Sequence, residues 1–150
     1  MGTILGIDVG DRRVGIAVAD SGQGLAVPLR TVERAQGNAE REILALVTER
    51  GVELIVAGLP LGEQDEETLQ SERVRQFCRR LSRRSPVEIR FHDEYGSSID
   101  AEQRLLQLRG RRSRIEKAEI DAYAAALILN SFLEAHRAIG GSSSGENGLP

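Results

Sequence analysis

The sequence predicts an α/β protein, a mixed sheet covered by helices, and three observations carry that prediction. The first 33 residues hold three short strand-like runs separated by glycine turns. Beyond residue 37 the apolar period lengthens, and helical stretches alternate with strand-like ones. The chain is 150 residues long with 40% hydrophobic residues. That length suits one domain, burying about two thirds of the surface of its unfolded chain.

The elements follow in order. Ile4–Asp8 is an apolar strand ending in a carboxylate, Val9–Arg13 is a turn, and Val14–Asp20 resumes as a strand. Ser21–Gly24 turns again into a third strand, Leu25–Val32, where Pro28 predicts an edge position. Three strands so closely spaced imply an antiparallel meander. Asn38 is placed to cap a helix with Ile43, Leu46 and Val47 facing inward and Gly51 just past its end. Val52–Leu59, apolar apart from Glu53, reads as a buried parallel strand that leads into the loop Gly58–Gly62. A helix over about 67–83 aligns Val74, Phe77, Cys78 and Leu81 on one face, which makes Cys78 a core residue and not a nucleophile. Pro86–Asp93 supplies a fifth strand, and Ile99–Leu108 is amphipathic through Ala101, Leu105 and Leu108. A basic loop, Gly110–Arg114, precedes a long alanine-rich helix over Glu119–Ala138. The folded domain is expected to span 1–138, and the Gly/Ser-rich 139–150 to form a disordered tail.

Composition removes several classes. The apolar content excludes a wholly disordered chain, and the single cysteine excludes a disulfide framework. No apolar run approaches the roughly 18–20 residues that cross a bilayer. The N-terminus shows neither a basic n-region nor a cleavage site, so a soluble cytoplasmic protein is expected. The net charge of −3 argues against a polyanion partner, but its distribution argues for one. Residues 73–84 carry six arginines and no acid, and 109–117 carry a net +4, which leaves −13 on the rest. Local basic faces are what a phosphate backbone responds to.

Three acidic positions are candidates for chemistry. Asp8 ends the first strand before a glycine turn, and Asp93 and Glu94 end the fifth in the same way. If strands one, four and five are parallel neighbours, their C-terminal ends open on one crevice, and strand alternation admits only one of Asp93 and Glu94. On the last helix Asp121, Ala125, Ile128, Phe132 and Ala135 share a face that is otherwise small or apolar, so Asp121 needs a partner. Each acid also has a plain role open to it: turn hydrogen bonding for Asp8, a solvated strand end for Asp93 and Glu94, helix capping for Asp121. Converged, three hard oxygen donors without a His or Cys cluster suit Mg²⁺ or Mn²⁺. Lys117 lies one turn before Asp121, placed to hold a phosphate. His92 reads as a structural strand-end histidine and His136 as a solvated helix end.

The run Ile4-Leu5-Gly6-Ile7-Asp8-Val9-Gly10-Asp11-Arg12-Arg13-Val14-Gly15-Ile16-Ala17 resembles the opening motif of the YqgF/RuvX family. The resemblance continues through Val56–Leu61, Asp93-Glu94 and Lys117–Leu129, covering about residues 3–135. It implies a ribonuclease H-like fold and a nuclease acting on pre-16S rRNA or on Holliday junctions. Carried over by position, it implies Asp8, Glu94 and Asp121 as catalytic, metal-binding carboxylates around Mg²⁺ or Mn²⁺. Arg12, Arg13, Arg109, Arg111, Arg112, Arg114 and Lys117 are the expected nucleic-acid contacts. The implied partner is nucleic acid, pre-rRNA or branched DNA, with no membrane and a monomer or weak homodimer. The chain departs from the family pattern at two places. Tyr95-Gly96-Ser97-Ser98 lacks the arginine that usually follows the Asp-Glu pair, and Asp11 stands where threonine is common.

Two other readings share these features. Sugar kinases, actin and heat-shock ATPases also open with a strand, Asp-x-Gly and a phosphate hairpin, but they use two such domains and this chain has room for one. A non-catalytic nucleic-acid-binding, ribosome-assembly module is the other, and three carboxylates facing phosphates argue against it. Family association favours the pre-rRNA role over junction resolution.

Overall fold

The computed structural model describes residues 2–20, 24–93, 103, 104, 107 and 117–143. Its sheet has five strands in the order β3-β2-β1-β4-β5, with β1 (Thr3–Val9), β2 (Arg13–Asp20), β3 (Val27–Glu33), β4 (Val52–Leu59) and β5 (Glu88–Asp93). β1, β2 and β3 pair antiparallel, while β1–β4 and β4–β5 pair parallel. The meander and the two parallel strands are those the sequence predicts. β3 is an edge strand, and Pro28 sits where its register with β2 shifts, beside Ala17. A residue with no N–H to give the ladder is tolerated there.

Helices cover both faces. α1 (Asn38–Arg50) and α2 (Leu69–Ser82) pack Ile43, Leu46, Val74, Phe77 and Leu81 against Leu5, Ile7, Val9, Val14, Ile16 and Ile55. On the opposite face α3 (Lys117–Ser143) packs Ala125, Ile128, Leu129, Phe132 and Leu133 on Ile4, Ala17, Ala19 and Val56. β1 is thus apolar toward both layers, as a central strand covered on two sides must be. Cys78 is 2% exposed in the first of these cores, and burial pushes its thiol up to about 12, so it is inert as expected.

Helix ends depart from the expectations in three places. Asn38 is not the cap of α1: Gly37, at φ 74°, occupies that position, and Asn38 begins the helix with its Nδ2 donating to the Glu33 carbonyl. Gly51 does end it, at φ 62°, a left-handed conformation that costs other residues about 1–2 kcal/mol. α2 begins with a capping box: the Ser71 N–H donates to Thr68 Oγ1 (3.0 Å), and the Thr68 N–H donates to Ser71 Oγ (2.7 Å). Thr68 Oγ1 also donates to the Pro60 carbonyl, tying the helix to the loop after β4. Thr68→Ala is expected to lower stability by about 1 kcal/mol, read as a melting temperature roughly 2–4 °C lower. Finally, α3 begins at Lys117 and continues through Gly140 and Gly141 to Ser143, beyond the predicted ends at 119 and 138. Two glycines weaken a helix by about 1 kcal/mol each but do not break its hydrogen bonding as proline does. Of the predicted helix 99–108, residues 103, 104 and 107 are helical and the others lie outside the described residues. Among the described residues no helix is long and apolar enough to cross a membrane.

Candidate active site

The site lies at the C-terminal end of β1, and register builds it. Strand alternation turns Leu5, Ile7 and Val9 to the α1/α2 layer and Ile4 and Asp8 to α3. Asp8 pairs across the ladder with Gly15. A Cβ built on Gly15 would land on the backbone carbonyl of Asp121, so the absent side chain is what lets α3 lie directly on β2. Two further contacts hold α3 there. Asn130 uses both ends of its amide on the backbone of Ala26, with Ala26 N–H donating to Oδ1 at 2.8 Å, and Thr31 Oγ1 donates to the Ala118 carbonyl.

This packing brings the Asp121 and Asp8 carboxylates into one electrostatic field. Asp8 is pushed up to about 7 from an ordinary 3.8, first by burial and then by the negative charge of Asp121. Asp121 itself is held by Arg13, whose Nε donates to Oδ2 at 3.0 Å, both side chains being about a quarter exposed (27% and 25%). Asp8 has no hydrogen-bond donor or cation of its own among the described residues. Among the described residues, then, a half-buried carboxylate lies beside a second one that takes the one guanidinium, which leaves the pair short of positive charge there.

The structure places each predicted residue as follows. Asp8 and Asp121 come together. Asp121 is not in the first helical turn, since α3 starts four residues earlier, and its side chain takes an arginine instead of capping the helix. Lys117 opens α3, one turn ahead of Asp121. Glu94 and the loop arginines Arg109, Arg111, Arg112 and Arg114 lie outside the described residues. Among the described residues no three His, Cys, Asp or Glu side chains gather as a metal site. The acids that do meet, Asp8 and Asp121, offer hard oxygens and surplus negative charge, which fits a divalent cation of the Mg²⁺ or Mn²⁺ type. Arg13, expected to face nucleic acid, is turned onto Asp121. The signal was present in the sequence: Arg13 lies two positions before Gly15, hence on the same face of β2. Arg12, its neighbour, is exposed.

Of the predicted helix stripe, Ala125, Ile128 and Phe132 are buried, but Ala135 is exposed. His92 is structural: its Nε2 lies 2.9 Å from Ser131 Oγ, its ring meets Phe132 edge-on, and burial lowers its pKa. His136 is exposed, as expected of a helix end, and its ring rests on Phe132 with centroids 4.0 Å apart.

The strand order, the mixed pairing and an acid ending the central strand define a protein of ribonuclease H-like fold. Solved structures of similar fold bear this out. Thermus thermophilus RuvC in complex with a Holliday junction substrate matches with a TM-score of 0.55 at 16% identity, covering 91% of this chain and 96% of that one. A fowlpox virus resolvase bound to Holliday junction DNA matches with a TM-score of 0.52 at 13% identity, over 89% of this chain and 98% of that one. In sequence, the profile of the RuvX family, described as Holliday junction resolvase, matches residues 2–135, and the chain belongs to that family. A relative from Chloroflexus aurantiacus named "Putative pre-16S rRNA nuclease" is 40% identical over 135 residues, covering 89% of this chain and 88% of its own. One of the same name from Ruegeria pomeroyi is 39% identical over 132 residues, covering 87% of this chain and 85% of its own.

Proposed function

We propose that this chain is a divalent-metal-dependent endonuclease that hydrolyses phosphodiester bonds in structured nucleic acid, processing the 5′ end of pre-16S rRNA in the cytoplasm. The observation that carries this reading is the Asp8–Asp121 pair, two carboxylates held together where burial and mutual repulsion raise Asp8 to about 7. A protein that only binds phosphates gains nothing from anionic side chains placed against them. The names of the relatives at about 40% identity support the rRNA substrate.

In this reading Asp8, Asp121 and Glu94 would hold the metal. Bound there, a divalent cation supplies charge neutralisation for the attacking and leaving oxygens of the phosphodiester. Arg13 fixes the Asp121 carboxylate through one oxygen, limiting its freedom to turn. The cover of α3 on β1 and β2 restricts water around Asp8 and strengthens every charge interaction made there. Lys117 and the arginines of 109–114 grip the strand by its phosphates, without reading sequence.

The family's description favours a second reading, resolution of Holliday junctions. Side-by-side cleavage of a pre-16S rRNA 5′ fragment and a four-way DNA junction decides between them. With Mg²⁺ or Mn²⁺, wild type is expected to cut the RNA, and excess EDTA to abolish cutting. Cleavage of the junction alone selects the second reading. Wild-type and Asp8→Asn proteins equally inert on both substrates would leave a binding module, and cleavage that persists in EDTA would refute the metal.

A further inference from the structure

The arginine-rich face of α2 has no part in the site above, yet it closes one wall of a cleft of about 720 Å³ on the other side of the β1–β2 turn. Arg12 from the turn, Arg34 after β3, and Arg73, Gln76 and Arg80 from α2 line it together with the acids Asp11 and Glu33, so the arginines outnumber the acids four to two. We propose that this cleft is a second nucleic-acid contact, binding the phosphate backbone of the strand that enters or leaves the Asp8–Asp121 site. The inference rests on the nuclease reading for its ligand class.

Three features support it. First, the turn joins the two places. Arg13 faces α3 and Asp121, whereas Arg12, the next residue back, lines the cleft, so one turn separates the acidic pair from the basic walls. A strand crossing the C-terminal edge of the sheet meets both.

Second, the cleft is pre-shaped. Arg34 Nη1 donates to the Gly10 carbonyl at 2.8 Å, its guanidinium lies 5.0 Å over the Phe77 ring, and its N–H donates to the Arg12 carbonyl. A guanidinium fixed by stacking and a backbone bond loses little freedom when it meets a phosphate. Arg80 lies 3.6 Å from the buried Glu40, which anchors it to α1.

Third, its charges are only half answered. Arg12, exposed, has no side-chain partner among the described residues. Arg73 is met by Asp11 at 3.3 Å, an exposed pair of the kind worth at most about 1 kcal/mol. A phosphate can therefore replace the Asp11 carboxylate on Arg73 at small cost. The other arginines of α2 face away from the cleft: Arg75 forks onto Glu67, and both Arg75 and Arg79 line a separate pocket.

The test is binding in EDTA, where no cleavage is needed for a result. A labelled 20-nucleotide single-stranded RNA and a 5′-mononucleotide are titrated against wild type over a range of salt. The charge-reversed pair Arg12→Glu/Arg73→Glu is expected to weaken RNA binding at least tenfold. It should also flatten the log–log salt dependence by roughly 0.7 for each phosphate that is no longer neutralised. Arg50→Glu/Arg79→Glu, equal in charge change but outside the cleft, should weaken it no more than threefold. Asp11→Asn should tighten it severalfold, and this arm needs no disruptive substitution. Equal weakening in the two double variants, an unchanged Asp11→Asn, or a mononucleotide bound as tightly as the 20-mer each overturn the proposal. A protein that binds RNA in this pattern but never cuts it keeps the cleft and loses the nuclease.

Discussion

Asp8→Asn is expected to abolish metal-dependent cleavage, by a thousandfold or more, while making the metal-free protein more stable at pH 8. The sign follows from linkage. Asp8 titrates at about 7 in the folded chain against 3.8 when unperturbed, so the folded state holds a proton that the unfolded state has released. Below pH 3.8 both states are protonated and folding incurs no penalty. As pH rises toward 7 stability falls, and above 7 the penalty is complete, each pH unit between the two titration points costing at most about 1.4 kcal/mol. Partial solvation reduces the sum, and about 2–4 kcal/mol is a fair range for a half-buried carboxylate. An amide of the same shape carries no such penalty, and the Arg13–Asp121 pair survives it. Melting temperatures of both proteins at pH 4 and pH 8 check this: near equality at pH 4, and a higher value for Asp8→Asn at pH 8. Added Mg²⁺ should raise wild type at pH 8 and leave the variant where it is, because a ligand stabilises only the state that binds it. A variant less stable than wild type at pH 8 would contradict the electrostatic account of the site.

Gly15→Ala is expected to cost about 3 kcal/mol, at the upper end for overpacking, because the atom in its way is helix backbone, which cannot rotate aside. α3 must lift from β2, and Asp121 moves with it. The pH dependence contributed by Asp8 should then shrink, and the Mg²⁺-induced rise in melting temperature should weaken. Gly51→Ala is the comparison. It is strained by its positive φ, has open space around it, and lies at the far end of α1. That variant should be destabilised by about 1 kcal/mol with the Mg²⁺ response intact. Equal weakening of the Mg²⁺ response in both would mean that close packing of α3 does not hold the site together.

Much of this molecule is written locally. Alternation and apolar runs suffice for all five strands, β4 to the residue, because each strand's faces are set by the residues within it. The inward stripes of α1 and α2 and the stop at Gly51 are legible for the same reason. Helix starts are less so: Asn38 and Gly37 compete for one cap, and Thr68 caps through a serine where the usual pattern has Glu or Gln. The order of strands and helices, and the choice of Asp8 and Asp121 as candidates for one site, can be read along the chain. Two outcomes emerge only when it folds: Arg13 serves Asp121, 108 positions away, and Asp8 has no cation beside it among the described residues. Both depend on how closely α3 settles on β2, and that distance is fixed by a missing side chain at Gly15 meeting a backbone carbonyl that no local pattern can anticipate.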